Sequence, residues 1–268
     1  MNSPANSTIL VVGATGSIGR RVVAEALAQG HHVRGLVRDA ARARQILPPE
    51  AELVTGDVTR PHTLRPALEG IDAVILAHGV EGDEEVVKAV CYTGVRDLLN
   101  LLADPAIRIV LMSAVGVTAR NGMNDTAHVA DWKRRAERLV RASGFGYTIV
   151  RPGWFDENGP GELKLVFRQG DRHHTGTPQD GAISRSQIAQ VLVAALTSPG
   201  AVGKTFELVA ERGPATDALE PLFDGVPSDM PGALDAPEDG PNMPLQGEPQ
   251  QVRDDLTMLR EADLEEKR

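Results

Sequence analysis

Cysteine and aromatic residues are scarce in this sequence: one Cys, two Trp, two Tyr and five Phe in 268 residues. A single thiol, Cys91, cannot form an intrachain disulfide and fits a reducing compartment, so a cytoplasmic protein is expected. Cys91 lies among Val86, Val87, Val90, Val95 and Leu98 and reads as a packed core thiol rather than a nucleophile. Long apolar runs are also missing. None reaches the ~18 residues of a membrane span, and no basic-plus-apolar leader stands at the start, so no membrane association is expected. A basic surplus is absent too. Residues 1–212 carry 23 acidic and 24 basic side chains, which leaves no positive field for general nucleic-acid binding.

The net charge of −9 therefore belongs to residues 213–268, where 14 acidic side chains stand against 4 basic ones. Eight of the eighteen prolines fall in the same stretch and disfavour both helix and sheet. After Pro249, Val252, Leu256 and Leu259 form a one-sided stripe. Two readings are open: a solvated linker ending in a marginal helix, or an arm that wraps the body or a partner subunit. The chain is expected as a monomer or a homodimer, with this tail as a possible contact.

What is present begins at the N-terminal end. The β-branched run Thr8-Ile9-Leu10-Val11-Val12 leads into Gly13-Ala14-Thr15-Gly16-Ser17-Ile18-Gly19, and an apolar-periodic segment follows. This order predicts a strand, a tight glycine turn and a helix N-terminus, whose backbone N–H groups and dipole suit a pyrophosphate. Further strands are predicted at 32–37, 52–54, 71–77, 107–112 and 147–151, and helices near 18–28, 62–69, 84–103 and 127–142. Such alternation predicts an α/β fold with a doubly wound, Rossmann-like parallel sheet over residues 1–151. Residues 152–212 read as a small substrate-side region completing the same domain. Within it, 163–167 and 204–209 are strand-like, and Ser184-Arg185-Ser186-Gln187 is a capping box that opens a helix over 188–196.

Arg38 closes the second strand 19 residues after Gly19, where an NAD enzyme places an acid for the ribose 2′-hydroxyl. A guanidinium there favours a 2′-phosphate, hence NADP(H), with Arg20 and Arg42 adding positive potential. Asp39 is the NAD-type alternative. Asp57 and Val58 close the third strand, and Ala77-His78-Gly79 close the fourth at the topological switch point, where His78 reads as a wall residue. Ser113 ends the fifth strand. Lys133 follows twenty residues later on a helix that contains Glu137, and then come Ser143-Gly144 and Tyr147-Thr148-Ile149-Val150-Arg151-Pro152-Gly153.

With the glycine loop, that block resembles the atypical short-chain dehydrogenase/reductase family of the NmrA-like, NAD(P)H-binding kind, from residue 8 to about 210. The resemblance implies that Gly13, Thr15, Gly16, Ser17, Ile18 and Gly19 cradle the cofactor, and that Asp57 and Val58 contact its adenine. It also brings Ala77, His78, Gly79, Pro152 and Gly153 to the cofactor. Catalytic relatives pair a Ser and a Lys with a Tyr acid. Ser113 and Lys133 match two of the three, but the Tyr position, four before Lys133, is Val129.

Three consequences are open. His128 supplies the proton, the acceptor needs none from the protein, or the chain binds NADP(H) without turnover as a redox sensor. The expected function is an NADPH-dependent reductase of a small carbonyl, quinone or flavin-like substrate, with the sensor second and a sugar-nucleotide-type epimerase or isomerase third. Trp132, Trp154 and Phe155 line the nicotinamide and substrate cleft or pack between lobes. His173-His174 reads as a polar turn rather than a metal pair, so no metal is expected. The Asn- and Gly-rich loop 117–126 is a candidate lid.

Overall fold

Ile9 and Val11 are buried in one apolar cluster and Leu10 and Val12 in another, because successive strand residues face opposite sides of a sheet. This computed structural model describes residues 6–120 and 127–266. Thr8–Val12 (β1) runs through the glycine turn into Gly19–Ala28 (α1) and His32–Val37 (β2). Ala40–Ala43 (α2), Glu52–Thr55 (β3), Arg65–Leu68 (α3) and Ala73–Leu76 (β4) follow. Then come Glu84–Lys88 (α4), Gly94–Leu101 (α5), Arg108–Met112 (β5), Val129–Ala142 (α6) and Gly146–Pro152 (β6). Beyond them lie Trp154–Phe155 (β7), Lys164–Arg168 (β8), Ala182–Ile183 (β9), Arg185–Thr197 (α7) and Lys204–Glu211 (β10). The last elements are Glu220–Gly225 (α8) and Gln250–Glu266 (α9).

The strands lie in the order β3-β2-β1-β4-β5-β6, all parallel, a Rossmann-like sheet with its switch point between β1 and β4. β10 extends it parallel to β6 and carries β8 and β9 antiparallel. Both faces are covered, as the uninterrupted apolar run of β4 requires. Val22, Val23 and Ala26 of α1 share one cluster with Ile188, Val191 and Leu192 of α7. On the other face, Val95, Leu98 and Leu99 of α5 meet Trp132, Ala136, Leu139 and Val140 of α6.

The segment expected as one helix over 84–103 is helical without interruption from 84 to 101, and it widens into a π turn at Ala89–Thr93 between α4 and α5. In this wider turn the carbonyl of Val90 accepts a hydrogen bond from His78 Nε2 at 3.1 Å. Short elements such as β7, β9 and α8 carry too few residues to show a period.

Residues 213–266 pack on the body of their own chain. Val252, Leu256 and Leu259 of α9 join the cluster over α5 and α6, and Tyr92 Oη donates to Asp255 at 2.8 Å. The stronger attachment is ionic. α6 buries Arg134, Arg138 and Arg141, and β6 buries Arg151. Arg138 reaches Asp235 at 2.8 Å and Glu248 at 2.7 Å; Arg134 shares Asp235 at 3.1 Å. Arg141 binds Asp229 at 2.9 Å and Arg151 grips Asp239 at 2.7 Å. Four of the tail's fourteen acidic side chains, Asp229, Asp235, Asp239 and Glu248, thus neutralise guanidinium groups buried in the body.

Removing one partner of a buried pair leaves the other charge uncompensated, at about 3–5 kcal/mol. Glu248→Ala, which strips a carboxylate from both Arg138 and Arg135, should lower the melting temperature by roughly 6–20 °C in a calorimetric scan. A chain ending at residue 239 also loses Val252, Leu256 and Leu259 and should melt lower still. An unchanged melting temperature in either protein would contradict this account.

Candidate functional site

The glycine turn sits at the C-terminal edge of β1. Gly13 adopts φ +84°, and a Cβ there would lie 2.9 Å from His78 Cα; one on Gly19 would lie 2.0 Å from Gly13 O. Neither position admits a side chain, so α1 starts close against the turn and leaves a backbone cradle at its N-terminus. Arg185, in the first turn of α7, reaches this loop and donates from Nε to Ser17 Oγ at 3.1 Å. It is also ion-paired with Asp156 and sits over the Phe155 ring. In the sequence Arg185 is only one position of a capping box; its reach across the chain depends on β7 and α7 meeting α1.

Arg38 is exposed at the end of β2. Asp39 Oδ1 accepts from Arg42 N at 3.0 Å and caps α2, so its carboxylate is engaged locally. Asp57 Oδ1 accepts from Thr59 N and Oγ1 at 2.9 and 2.8 Å. Burial pushes this carboxyl up, but the Thr59 bonds and the charges of Arg38 and Arg60 outweigh it and hold the group below the usual range. Val58 packs against Gly94, where a Cβ would lie 2.9 Å from Val58 Cβ.

His78, Ser113 and Lys133 line one small cavity with Cys91 and Met112. His78 is pushed down to about 4, by burial first and then by the nearby Lys133 charge, against the pull of its Val90 bond. It is a neutral ring, donating from Nε2, with Nδ1 buried and unbonded. Ser113 Oγ is likewise buried without a hydrogen-bond partner, although it lies close enough to Glu137 to help keep that carboxylate ionised. Two orphaned polar atoms beside a lysine, at the end of a glycine cradle, fit the ribose and amide groups of a dinucleotide. Lys133 and Ser113 would hold its nicotinamide half.

A larger cavity of about 270 Å³ opens next to Ser113, lined by Ala114, Val115, Pro152, Gly153, Trp154 and Phe155. His174 and Asp180 supply its ionisable groups. Trp132 is elsewhere: it is buried against Tyr92 and donates Nε1 to Glu84 at 3.0 Å. His128 caps α6 in the left-handed region at φ +50°, with its ring 53% exposed and 3.8 Å from Asp131. It lines neither cavity. Of the candidate lid, Thr118 is tied to Asp171, and residues 121–126 lie outside the described residues. Among the described residues no cluster of His, Cys, Asp and Glu could hold a metal, and no helix is long and apolar enough to cross a membrane.

Behind the cavity, three carboxylates meet one guanidinium. Arg151 binds Glu137 at 2.7 Å and Asp239 at 2.7 Å, leaving Glu207 at 3.4 Å. Glu207 is pushed up to about 7, by burial first and also by the Asp171 and Asp239 charges, against the pull of Arg151. Its Oε2 accepts from the backbone N–H of Asp171 at 3.2 Å.

The model of a family described as NAD(P)H-binding matches residues 13–199. An NAD(P)H azoreductase from Xenophilus azovorans is 29% identical over 193 residues, covering 72% of this chain and 64% of the relative. Sanguinarine reductase from Eschscholzia californica is 28% identical over 272 residues, covering 84% and 98%. The chain spans less than two thirds of the azoreductase, and 63% of the photosystem II assembly factor Ycf39 from Synechocystis. Among solved structures, a candidate NAD-dependent epimerase/dehydratase from Bacillus halodurans superposes with a TM-score of 0.68 at 23% identity, covering 82% of this chain and 100% of that one. A candidate NADH-flavin reductase from Streptococcus pneumoniae superposes with 0.60 at 20%, covering 77% and 100%. At these identities the structural likeness concerns the fold.

Glu207 generates a test of the network under the cavity. Its folded-state value of about 7 lies above the ordinary 4.5. The folded protein then holds an extra proton between those values, so stability falls as pH rises through that window. Glu207→Gln should remove this loss, worth at most roughly 3 kcal/mol. In melting scans at pH 5 and pH 8, the variant should lose less stability between the two than the wild type. Equal losses would show that Glu207 does not bind the proton.

Proposed function

We propose that this chain, which belongs to the NAD(P)H-binding family, is an NADPH-dependent reductase of small carbonyl, quinone or flavin-like acceptors. One observation carries this reading: the glycine cradle after β1 and an apolar, aromatic-walled cavity of about 270 Å³ formed after β5 and β6 lie at the same C-terminal edge of the parallel sheet, and Ser113 directly precedes Ala114 of the cavity wall. A bound nicotinamide supplies a hydride. Everything else is done by the chain's own groups. The cradle at Gly13–Gly19 and the neighbouring Arg185 hold the pyrophosphate, and Lys133 holds ribose. Ser113 donates a hydrogen bond to the acceptor, and the walls of Trp154 and Phe155 favour flat, conjugated molecules. The names of the azoreductase and sanguinarine reductase relatives point the same way.

The preference for NADPH over NADH rests on Arg38, exposed where the 2′-phosphate would lie, while Asp39 is committed to its helix cap. The second reading, a non-catalytic NADP(H)-binding sensor, is favoured by Val129, which packs against the core at the position of the absent Tyr. Fluorescence titration with NADPH and NADH, followed by an NADPH-oxidation screen over aldehyde, quinone and flavin acceptors, separates the two. Arg38→Asp should reduce the NADPH preference by about 10- to 100-fold, the worth of one or two charge-assisted hydrogen bonds. An unchanged ratio removes Arg38 from the cofactor site. Tight NADPH binding with no oxidation by any acceptor decides for the sensor.

A further inference from the structure

Val129 leaves the reaction without its usual proton donor, and the loop between β8 and β9 brings another imidazole to the acceptor cavity. We propose that His174 is the general acid of this site, delivering a proton to the oxygen or nitrogen of an acceptor held against Trp154 and Phe155. The assignment rests on the reductase reading above.

His174 lines the cavity together with the turn Pro152–Gly153. Its Nε2 lies 3.3 Å from Thr118 Oγ1 and 3.6 Å from Asp171 Oδ2. Thr118 spends its hydroxyl proton on Asp171 Oδ2 at 2.9 Å, so its oxygen accepts and Nε2 carries a hydrogen. Nδ1 is therefore the ring nitrogen left unengaged, and in the proposed step it is the one that carries the transferred proton. Asp171 is buried and cannot turn away. Gly116 N and Thr118 N donate to its two oxygens at 2.6 and 2.8 Å, and its own N–H bonds Glu207. It holds φ +44°, a left-handed conformation that a non-glycine residue keeps only where its surroundings impose it.

A second carboxylate, Asp180, lines the same cavity. It accepts from Thr175 N and Gly176 N at 2.7 and 2.8 Å, bonds that hold it below the usual range against its burial. The imidazole thus has one carboxylate, Asp171, 3.6 Å from its Nε2 and a second, Asp180, lining the same cavity, with Glu207 bonded to the Asp171 backbone and with Arg172 and His173 preceding it on its own loop. This is the arrangement of a base oriented by a third group, on the wall that a reacting atom would face.

The step balances with the reduced nicotinamide as the only co-reactant. As the carbonyl carbon of an aldehyde gains a hydride from it, the carbonyl π bond breaks towards oxygen, which takes the Nδ1 proton. The nicotinamide is oxidised, and the neutral ring recovers its proton from water. A cationic iminium acceptor needs the hydride alone.

That difference supplies the test. Full-length wild type, His174→Gln and His174→Ala are assayed for NADPH oxidation with phenanthrene-9-carboxaldehyde and with N-methylphenanthridinium. Expected is a fall of about 100-fold in kcat for the aldehyde, with the iminium rate unchanged and melting temperatures close to wild type. Ring ¹⁵N–¹H spectra of the wild type with NADP⁺ should show the His174 signals moving when the aldehyde is added. Aldehyde turnover that His174→Gln leaves intact, an equal loss with both acceptors, or unmoved ring signals would overturn the assignment while leaving the reductase reading standing. Absence of NADPH oxidation by the wild type with every acceptor would overturn the reductase reading, and the acid assignment with it.

Discussion

The structure depends on four guanidinium groups buried between its sheet and its last fifty residues. Arg134, Arg138, Arg141 and Arg151 are almost fully shielded from solvent, and an unpaired charge there would cost several kcal/mol. The body supplies two carboxylates among them, Glu137, shared by Arg141 and Arg151, and Glu207, 3.4 Å from Arg151. The balance comes from Asp229, Asp235, Asp239 and Glu248. Apolar side chains of equal volume often serve a buried site as well as an ion pair does, so stability is not what the pairing adds. It adds position. A proline-rich stretch forms few backbone hydrogen bonds of its own, and each bidentate fork fixes one point along it. Between those points the chain needs no regular structure.

The same charges reach the site. Arg151 clamps Asp239 of the tail on one side and Glu137 on the other, and Glu137 lies beside Ser113. Glu207, the third carboxylate at Arg151, holds the backbone of Asp171. Asp171 in turn ties the loop after β5 to the loop after β8, through Gly116, Thr118 and His174. Two loops that wall the cavity therefore rest on a network whose far end is the tail. The tail contributes no lining residue to that cavity, yet it bears on its shape, because the groups in between are close-packed charges with one satisfactory arrangement.

What could be read from the sequence follows from how local each signal is. The glycine turn, the six parallel strands and the placement of Ser113 and Lys133 depend on backbone geometry and short-range apolar spacing, and all stand where the pattern put them. The arginines of α6 are different. Arg134, Arg138 and Arg141 share a helix face, and a charged face reads as solvated until something covers it. Their partners lie 88 to 110 residues away. The signal available was the match between that one-sided stripe and a tail whose net charge is −10. Trp132 shows the same limit: a tryptophan next to the key lysine suggested a cleft, but its helical phase with Ala136, Leu139 and Val140 points it into the core. Arg185 and His174 reach the site only through loop closure, which no periodicity records.

On the proposed reductase reading, Val129 decides how an acceptor must lie. A tyrosine at that position would deliver its proton from α6, one turn before Lys133, on the same element that grips ribose. Val129 instead packs against the apolar cluster and closes that approach. His128, next to it, faces Asp131 and solvent. The remaining ionisable groups on the cavity wall come from the 171–180 loop, across from α6. An acceptor whose reacting carbon meets the nicotinamide must then turn its polar atom towards that loop and its flat body towards Trp154 and Phe155. Under the proposed assignment, two loops rather than one helix carry the geometry of proton delivery. Loops hold an imidazole in place only when their own backbone is fixed, and here the buried carboxylates at Asp171 and Glu207 fix it.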